Sequence, residues 1–120
     1  MSKDTVTAFL GTESATTENS DAARELYNQS RFGTLLESGK VQLSLLETYY
    51  LLEKERLEAR SLANRLITLE ALLKKAVKIE PHFWVKYMVF RDLRNRGYIV
   101  KTALKFGADF RVYDRGVKPG

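Results

Sequence analysis

The chain contains no cysteine, two prolines and a single histidine among its 120 residues. Without cysteine it can form neither a disulfide framework nor a cysteine-based zinc site. It has no run approaching the roughly 20 apolar residues of a transmembrane helix, and its first residues lack the basic-then-apolar pattern of a signal peptide. We therefore expect a cytoplasmic protein without a membrane-embedded segment.

Common cofactor and catalytic motifs are also missing. Neither G-x-G-x-x-G nor G-x-x-x-x-G-K-[ST] occurs, which excludes the two familiar phosphate-cradling loops. One histidine, and no pair of carboxylates at a spacing suited to joint coordination, argue against a metal site. His82 lies beside Phe83 and Trp84 at a predicted helix start, so a packed or surface histidine is the better interpretation than a member of a Ser-His-Asp triad. We expect no cofactor and no metal.

Positive charge is unevenly distributed along the chain. The net charge is +5, and from Lys86 onward nine lysines and arginines face only three aspartates. A region with that bias favours contact with phosphate groups. A solvated basic surface is the alternative, and it is the commoner explanation when charge is the only observation.

The first two thirds of the chain predict a flexible tail followed by a small domain. Residues 1–20 are rich in serine, threonine and acidic side chains, so we expect a flexible tail, with an edge strand at Val6–Leu10 left open. Residues 21–80 are expected to form a helical or mixed N-terminal domain. Its predicted elements are a helix at Asp21–Gln29 capped by Ser20, a strand at Lys40–Leu43, a helix from Leu45 to about Leu57 that begins at a Ser44–Glu47 capping box, and a helix at Leu69–Ile79 capped by Thr68.

Residues 81–120 are expected to begin a second, α/β domain, which makes the whole chain α+β. Phe83, Tyr87 and Phe90 recur at helical spacing and predict the buried stripe of a helix from about His82 to Asn95. Trp84 and Met88 are expected to widen that stripe, and Lys86, Arg91 and Arg94 are expected on the remaining face of the helix. Gly97 is expected to end the helix. Strands are predicted at Tyr98–Thr102 and around Phe110–Tyr113. Because two strands alone rarely hold together in water, the remaining strands of this domain are expected elsewhere.

Tyrosine, lysine and arginine on a strand framework are suited to metal-free RNA chemistry. A 2′-hydroxyl attacks its own phosphodiester when a base removes its proton, an acid protonates the leaving 5′-oxygen and a cation stabilises the phosphate. Tyrosine can be that base only if nearby positive charge matches or lowers its pKa, normally about 10. Tyr113 lies between Arg111 and Arg115 and is the candidate. A structural strand tyrosine is the alternative.

The run from Tyr87 to Tyr113, YMVFRDLRNRGYIVKTALKFGADFRVY, closely resembles the start of the catalytic domain of archaeal-type tRNA-splicing endonucleases. The run from Leu43 to Leu52, LSLLETYYLL, is similar to the helix of that family's N-terminal domain. The resemblance covers about residues 30–116 and leaves the first 30 residues without support.

This resemblance implies a tRNA-intron lyase. Such enzymes cut precursor tRNA at both exon–intron junctions, recognise a bulge-helix-bulge fold, work without metal and leave 2′,3′-cyclic phosphate and 5′-hydroxyl ends. Their triad is a tyrosine, a histidine and a lysine, and the tyrosine falls on Tyr113. They assemble as homo- or hetero-oligomers, so endonuclease subunits are the expected protein partners.

The family's histidine and lysine have no counterpart in this sequence. The histidine is expected soon after the second strand and the lysine on a later helix, whereas His82 precedes the motif and Lys101 and Lys105 lie within the first strands. We therefore expect these 120 residues alone to be inactive, as a fragment, a split subunit or a non-catalytic partner. A structural, RNA-binding subunit is the alternative function. A basic helical interaction module is the least favoured.

Overall fold

The computed structural model describes residues 5–101 and 111–113. Within these residues strands and helices are mixed along the chain, so the predicted α+β class is confirmed. The elements in chain order are β1 (Val6–Leu10), β2 (Ser14–Thr17), α1 (Asp21–Ser30), β3 (Thr34–Leu35), β4 (Val41–Ser44), α2 (Leu45–Glu53), β5 (Leu57–Arg60), α3 (Leu69–Ile79), α4 (Phe83–Asn95), β6 (Ile99–Lys101) and β7 (Arg111–Tyr113).

β1 and β2 lie in the interior of a five-stranded sheet with the order β3-β4-β2-β1-β5. β1 runs antiparallel to β2 and parallel to β5. The flexible tail predicted for residues 1–20 is therefore wrong over these two strands, and Val6–Leu10 is a central strand, not an edge strand. The reason is composition: Ala8, Ala15 and Thr17 are almost fully buried, so small and hydroxylated side chains cover positions where large apolar ones would have revealed a strand.

α1 confirms the predicted cap and leads into a tight turn. The Ser20 hydroxyl accepts a hydrogen bond from the Ala23 backbone N–H at 3.1 Å, and the helix ends at Arg31 in the left-handed region, with φ of 55°. Gly33 follows with φ of 71° and packs so closely on β4 that a Cβ atom there would lie 2.5 Å from the Gln42 carbonyl oxygen. Residues 31–33, called the 31–33 turn below, thus require glycine at their third position.

α2 is buried along most of its length and contacts the sheet, α3 and α4. The predicted capping box is confirmed, because the Ser44 hydroxyl accepts from the Glu47 N–H at 3.2 Å and the Glu47 carboxylate accepts from the Ser44 N–H at 2.9 Å. The predicted extension of this helix to Leu57 is wrong. Leu57 instead begins β5, which the sequence did not reveal, because its apolar residues continue the helical spacing of α2.

α3 has the predicted bounds and cap, and α4 packs an aromatic face on α2. Phe83, Tyr87 and Phe90 are fully buried, and the Tyr87 ring lies edge-on to Tyr49 with centroids 4.6 Å apart. Trp84 and Met88, which were expected to widen the buried stripe, are each 41% exposed. Because α2 covers one side of α4, the neighbouring positions 84 and 88 lie at the edge of that contact.

β6 and β7 form an antiparallel pair beyond the end of α4. Ile99 lies opposite Tyr113, and Lys101 lies opposite Arg111. The two predicted strands are confirmed in part, because Thr102 and Phe110 lie outside the described residues. No helix in the described part of the chain is long and apolar enough to cross a membrane.

The close approach of Gly33 to the backbone of β4 leads to a prediction about stability. Gly33→Ala should lower the free energy of unfolding by more than about 2 kcal/mol, because its Cβ meets a backbone carbonyl and its φ is positive. Gly11→Ala is the matched control, since a Cβ there would lie 3.3 Å from the Ser14 carbonyl oxygen without a positive φ. Urea denaturation followed by circular dichroism measures both variants. Equal losses would contradict the assigned role of the 31–33 turn.

Candidate active site

Tyr113, the candidate general base, ends β7 on the face that it shares with Ile99. Directly opposite residues of an antiparallel pair project their side chains to the same side. Ile99 is buried, whereas Tyr113 is partly exposed, so its phenol lies at the boundary between the core and solvent. Arg115 and the side chain of Arg111, the cations expected beside it, lie outside what the structure describes.

Arg94 is buried beneath β6 and joins three parts of the chain. Its guanidinium donates hydrogen bonds to the carbonyl oxygens of Ser30 at 2.7 Å, Arg31 at 3.3 Å and Val100 at 3.3 Å. Its central carbon also lies 3.9 Å from the centroid of the Phe32 ring. The prediction that Arg94 lies on the remaining face of α4, away from the buried aromatic stripe, is wrong. The signal was present, because Arg94 follows Phe83, Tyr87 and Phe90 at the same helical spacing.

Lys101 reaches the same turn from β6. Its ammonium donates to the carbonyl oxygen of Arg31 at 2.9 Å and to that of Gly33 at 2.6 Å. From the opposite side, the Glu47 carboxylate accepts from the Gly33 N–H at 2.8 Å. We call Glu47, Arg94, Lys101 and the 31–33 turn the polar cluster. Sequence reasoning gave Lys101 no role, although its period-two spacing from Ile99 places both on one face of the strand.

Burial perturbs both cations of the polar cluster. Burial lowers the pKa of Arg94 to about 10, while the negative charge of Glu47 opposes that shift. Burial also lowers the pKa of Lys101, with Glu47 raising it again and Arg94 and Arg31 lowering it further. Arg94 therefore remains charged at neutral pH. Its carbonyl partners and Glu47 compensate for the loss of hydration.

Three buried or nearly buried tyrosines are held in the protonated form and have packing roles. Burial raises the pKa of Tyr87 far above its usual 10.0, and a hydrogen bond to the Glu53 carboxylate raises it further. Burial also raises the pKa values of Tyr49 and Tyr50. The Tyr50 hydroxyl donates to the Asn95 side-chain oxygen at 2.9 Å. These three residues are poor candidates for a general base at neutral pH.

His82 lies far from Tyr113. It is exposed at the N-terminal end of α4, and β6 begins beyond the C-terminal end of that helix. A helix of 13 residues is about 20 Å long, so the imidazole cannot reach the β6–β7 pair. The interpretation of His82 as a surface residue is confirmed. Within residues 5–101 and 111–113, no three histidine or acidic side chains cluster in a way that would hold a metal ion.

Two family models match the chain. The N-terminal domain of tRNA intron endonuclease matches residues 6–73, and the catalytic C-terminal domain of the same family matches residues 83–120. The first match includes β1 and β2, which the sequence patterns alone did not assign to the domain. The second includes α4, β6 and β7, and therefore the strand that carries Tyr113.

Several curated proteins are similar over most of the chain. A tRNA-splicing endonuclease of Thermococcus gammatolerans is 43% identical over 109 residues, which are 91% of this chain and 64% of the relative. One of Thermococcus onnurineus is 40% identical over 96% of this chain and 66% of its own length. One of Methanothermobacter thermautotrophicus is 41% identical over 92% and 63%. The chain thus spans slightly less than two thirds of the length of these relatives.

The contacts of the polar cluster predict a large loss of stability when Arg94 is replaced. Arg94→Met should lower the free energy of unfolding by about 2–4 kcal/mol, because the partly or fully buried carbonyls at residues 30, 31 and 100 lose a charged donor. Arg96→Met is the matched control, since Arg96 has a 64% exposed side chain and an exposed partner in Asp92. It should cost less than about 0.5 kcal/mol. If urea denaturation shows that Arg94→Met loses no more stability than Arg96→Met, the assigned structural role of Arg94 is wrong.

The raised pKa of Tyr87 predicts a pH dependence. Above its usual pKa of 10.0 the unfolded chain releases this proton while the folded chain keeps it, so stability is full below pH 10 and falls above it. Tyr87→Phe should remove up to about 1.4 kcal/mol per pH unit from that decline. Urea denaturation between pH 8 and 11 measures the slope. An unchanged slope in the variant would contradict the assignment.

Proposed function

The chain belongs to the tRNA intron endonuclease family, and we propose that it supplies the N-terminal domain and the start of the catalytic domain of an enzyme that cleaves precursor tRNA at exon–intron junctions. The observation that carries this proposal is the match of the catalytic-domain model across α4, β6 and β7. The relatives named tRNA-splicing endonuclease support it. The substrate that we infer is a bulge-helix-bulge precursor tRNA.

Tyr113 is the proposed general base. Its phenolate oxygen takes the proton of the 2′-hydroxyl, the 2′-oxygen bonds to the adjacent phosphorus, and the bond from phosphorus to the 5′-oxygen breaks. An acid protonates that 5′-oxygen, which gives a 2′,3′-cyclic phosphate and a 5′-hydroxyl. Partial exposure at the end of β7 suits this role, because the phenol can meet a large substrate. The polar cluster supports it indirectly by fixing the neighbouring strand β6.

The acid and the cation are proposed to come from outside the described residues. Lys101 already donates to two carbonyl oxygens of the 31–33 turn, and His82 lies at the far end of α4. The family's histidine and lysine are therefore not assigned to either side chain. We expect the 120 residues alone to bind RNA without cutting it, and to act in the cytoplasm within a homo- or hetero-oligomer that completes the site.

Replacing Tyr113 tests the function. In an assembly that cleaves precursor tRNA, Tyr113→Phe should lower the single-turnover rate by roughly 10²–10⁴-fold and leave RNA binding intact, because the ring still packs and only the base is lost. Tyr27→Phe, on α1, is the matched control and should cut at the normal rate. The measurement is gel analysis of exon and intron products in the presence of EDTA.

Two outcomes would contradict the proposal. Normal cleavage by the Tyr113→Phe assembly would rule out Tyr113 as the base. If every oligomer that contains this chain binds the bulged precursor tightly and none cleaves it, the chain is instead a structural, RNA-binding subunit.

A further inference from the structure

A pocket of about 270 Å³ lies between the end of α1, α2 and the start of β6. Its volume approaches the lower limit of ordinary ligand sites and suits one small group. We call it the α1–β6 pocket. The residues that line it include Ser30 at the end of α1, Phe32, Tyr50, Arg56, Arg94, and Ile99 of β6.

The α1–β6 pocket is positively charged. Two arginines line it, and its described lining contains no aspartate or glutamate. Arg94 and Arg56 both act on the Tyr50 phenol, since each lowers the pKa that burial raises, while the smaller effect of Glu53 raises it. Two positive charges and the lining residue Tyr50 are therefore close together at the pocket. Such an arrangement attracts an anion.

Buried positive charge next to the pocket exceeds buried negative charge. Arg94 and Lys101 are largely removed from water, and Arg31 adds to the field that lowers the pKa of Lys101. Glu47 is the carboxylate that acts on both, so one negative charge faces two buried positive charges. Arg94 donates to carbonyl oxygens, and its Nε has no partner among the described residues. Buried charge is normally balanced by a counter-charge, so the excess favours an anionic ligand here.

Arg56 is the residue best placed to contact that ligand. Its backbone is fixed between α2 and β5, because its N–H donates to the Leu51 carbonyl at 2.9 Å and its carbonyl accepts from Val6 at 3.3 Å. Within residues 5–101 and 111–113, the partly exposed side chain of Arg56 has no hydrogen bond or ion pair. A guanidinium presents parallel N–H donors that match two phosphate oxygens.

The end of α1 opposes an anion only weakly. The carbonyl groups at a helix C-terminus carry partial negative charge and would repel a phosphate. Here the carbonyl oxygens of Ser30 and Arg31 already accept hydrogen bonds from Arg94, and Lys101 also donates to Arg31. Their partial negative charge is thus compensated by the charged groups that donate to them.

The pocket is also next to the strand pair that carries the candidate base. Ile99 lines it and lies directly opposite Tyr113 in the β6–β7 pair, on the same face. We propose that the α1–β6 pocket binds a phosphate group of the substrate RNA close to the strand that carries Tyr113. Phosphate recognition rests on the pocket alone, whereas RNA as the source of that phosphate rests on the proposed function.

Inorganic phosphate titrated into the 120-residue chain tests the pocket itself. At constant ionic strength, set with chloride, we expect saturable NMR shifts of the Gly97 and Ile99 amides. Arg56→Gln should weaken the affinity roughly tenfold, which is the loss expected for a charge-assisted hydrogen bond. Arg65→Gln is the matched control, because it removes the same charge from an exposed position outside the pocket and should leave the affinity unchanged. The phosphate affinity of Arg56→Lys, which keeps the charge, should lie between those of Arg56→Gln and Arg65→Gln.

Two results would overturn the phosphate site. One is amide shifts that do not saturate as phosphate is added, and the other is an equal loss of phosphate affinity in the Arg56→Gln and Arg65→Gln variants. The amide spectrum shows at the same time whether each variant is folded, and Arg56→Lys keeps the comparison valid if Arg56→Gln is not.

A short single-stranded oligoribonucleotide identifies the source of the phosphate. It should shift the same amides and compete with inorganic phosphate, whereas a nucleoside without phosphate should do neither. Saturable phosphate binding without competition from RNA would overturn the RNA assignment and leave a site for free phosphate. None of these titrations depends on cleavage, so a failure of Tyr113 as the base would leave their result unchanged.

Discussion

The fold depends on satisfying the backbone of the turn that follows α1. This turn is packed against β4 and β6, where its polar groups are partly or fully removed from water, and unpaired buried carbonyl and N–H groups are costly. Glu47 from α2, Arg94 from α4 and Lys101 from β6 provide the partners. These side chains are far apart in sequence, so the turn can be satisfied only when both halves of the chain are folded together.

This arrangement links the sheet to the strand that carries the candidate base. Glu47 caps its own helix and holds the turn, and Arg94 connects the turn to Val100 of β6. Tyr113 pairs with Ile99, the residue that precedes Val100 in β6. A change at the turn should therefore be felt at the candidate active site through β6. The surplus of positive charge in the same place is what makes the neighbouring pocket suitable for an anion.

Much of the fold could be predicted from the sequence, because strong local signals determine it. Ser20, the Ser44–Glu47 box and Thr68 mark helix starts that depend on only a few neighbouring residues. β2 and β5 were missed, and β1 was left open as an edge strand, because several of their buried side chains are small or continue a helical pattern. Only pairing between distant strands reveals them. The boundary between the two predicted domains, after residue 80, stays a prediction. The strand position of Tyr113 was predicted, whereas its chemistry rests on family resemblance. The burial of Arg94 was missed because a charge was assumed to be exposed, although its spacing matched the aromatic stripe.

The central claim is that the β6–β7 pair presents Tyr113 to the splice junction of an RNA substrate. The most direct measurement is a structure of the cleavage-competent assembly with a precursor tRNA carrying a 2′-O-methyl group at the junction, which binds but cannot react. We predict that the Tyr113 phenol oxygen lies within hydrogen-bond distance, about 2.5–3.0 Å, of that 2′-oxygen. A Tyr113 ring packed away from the RNA, with another residue beside the 2′-oxygen, would contradict it.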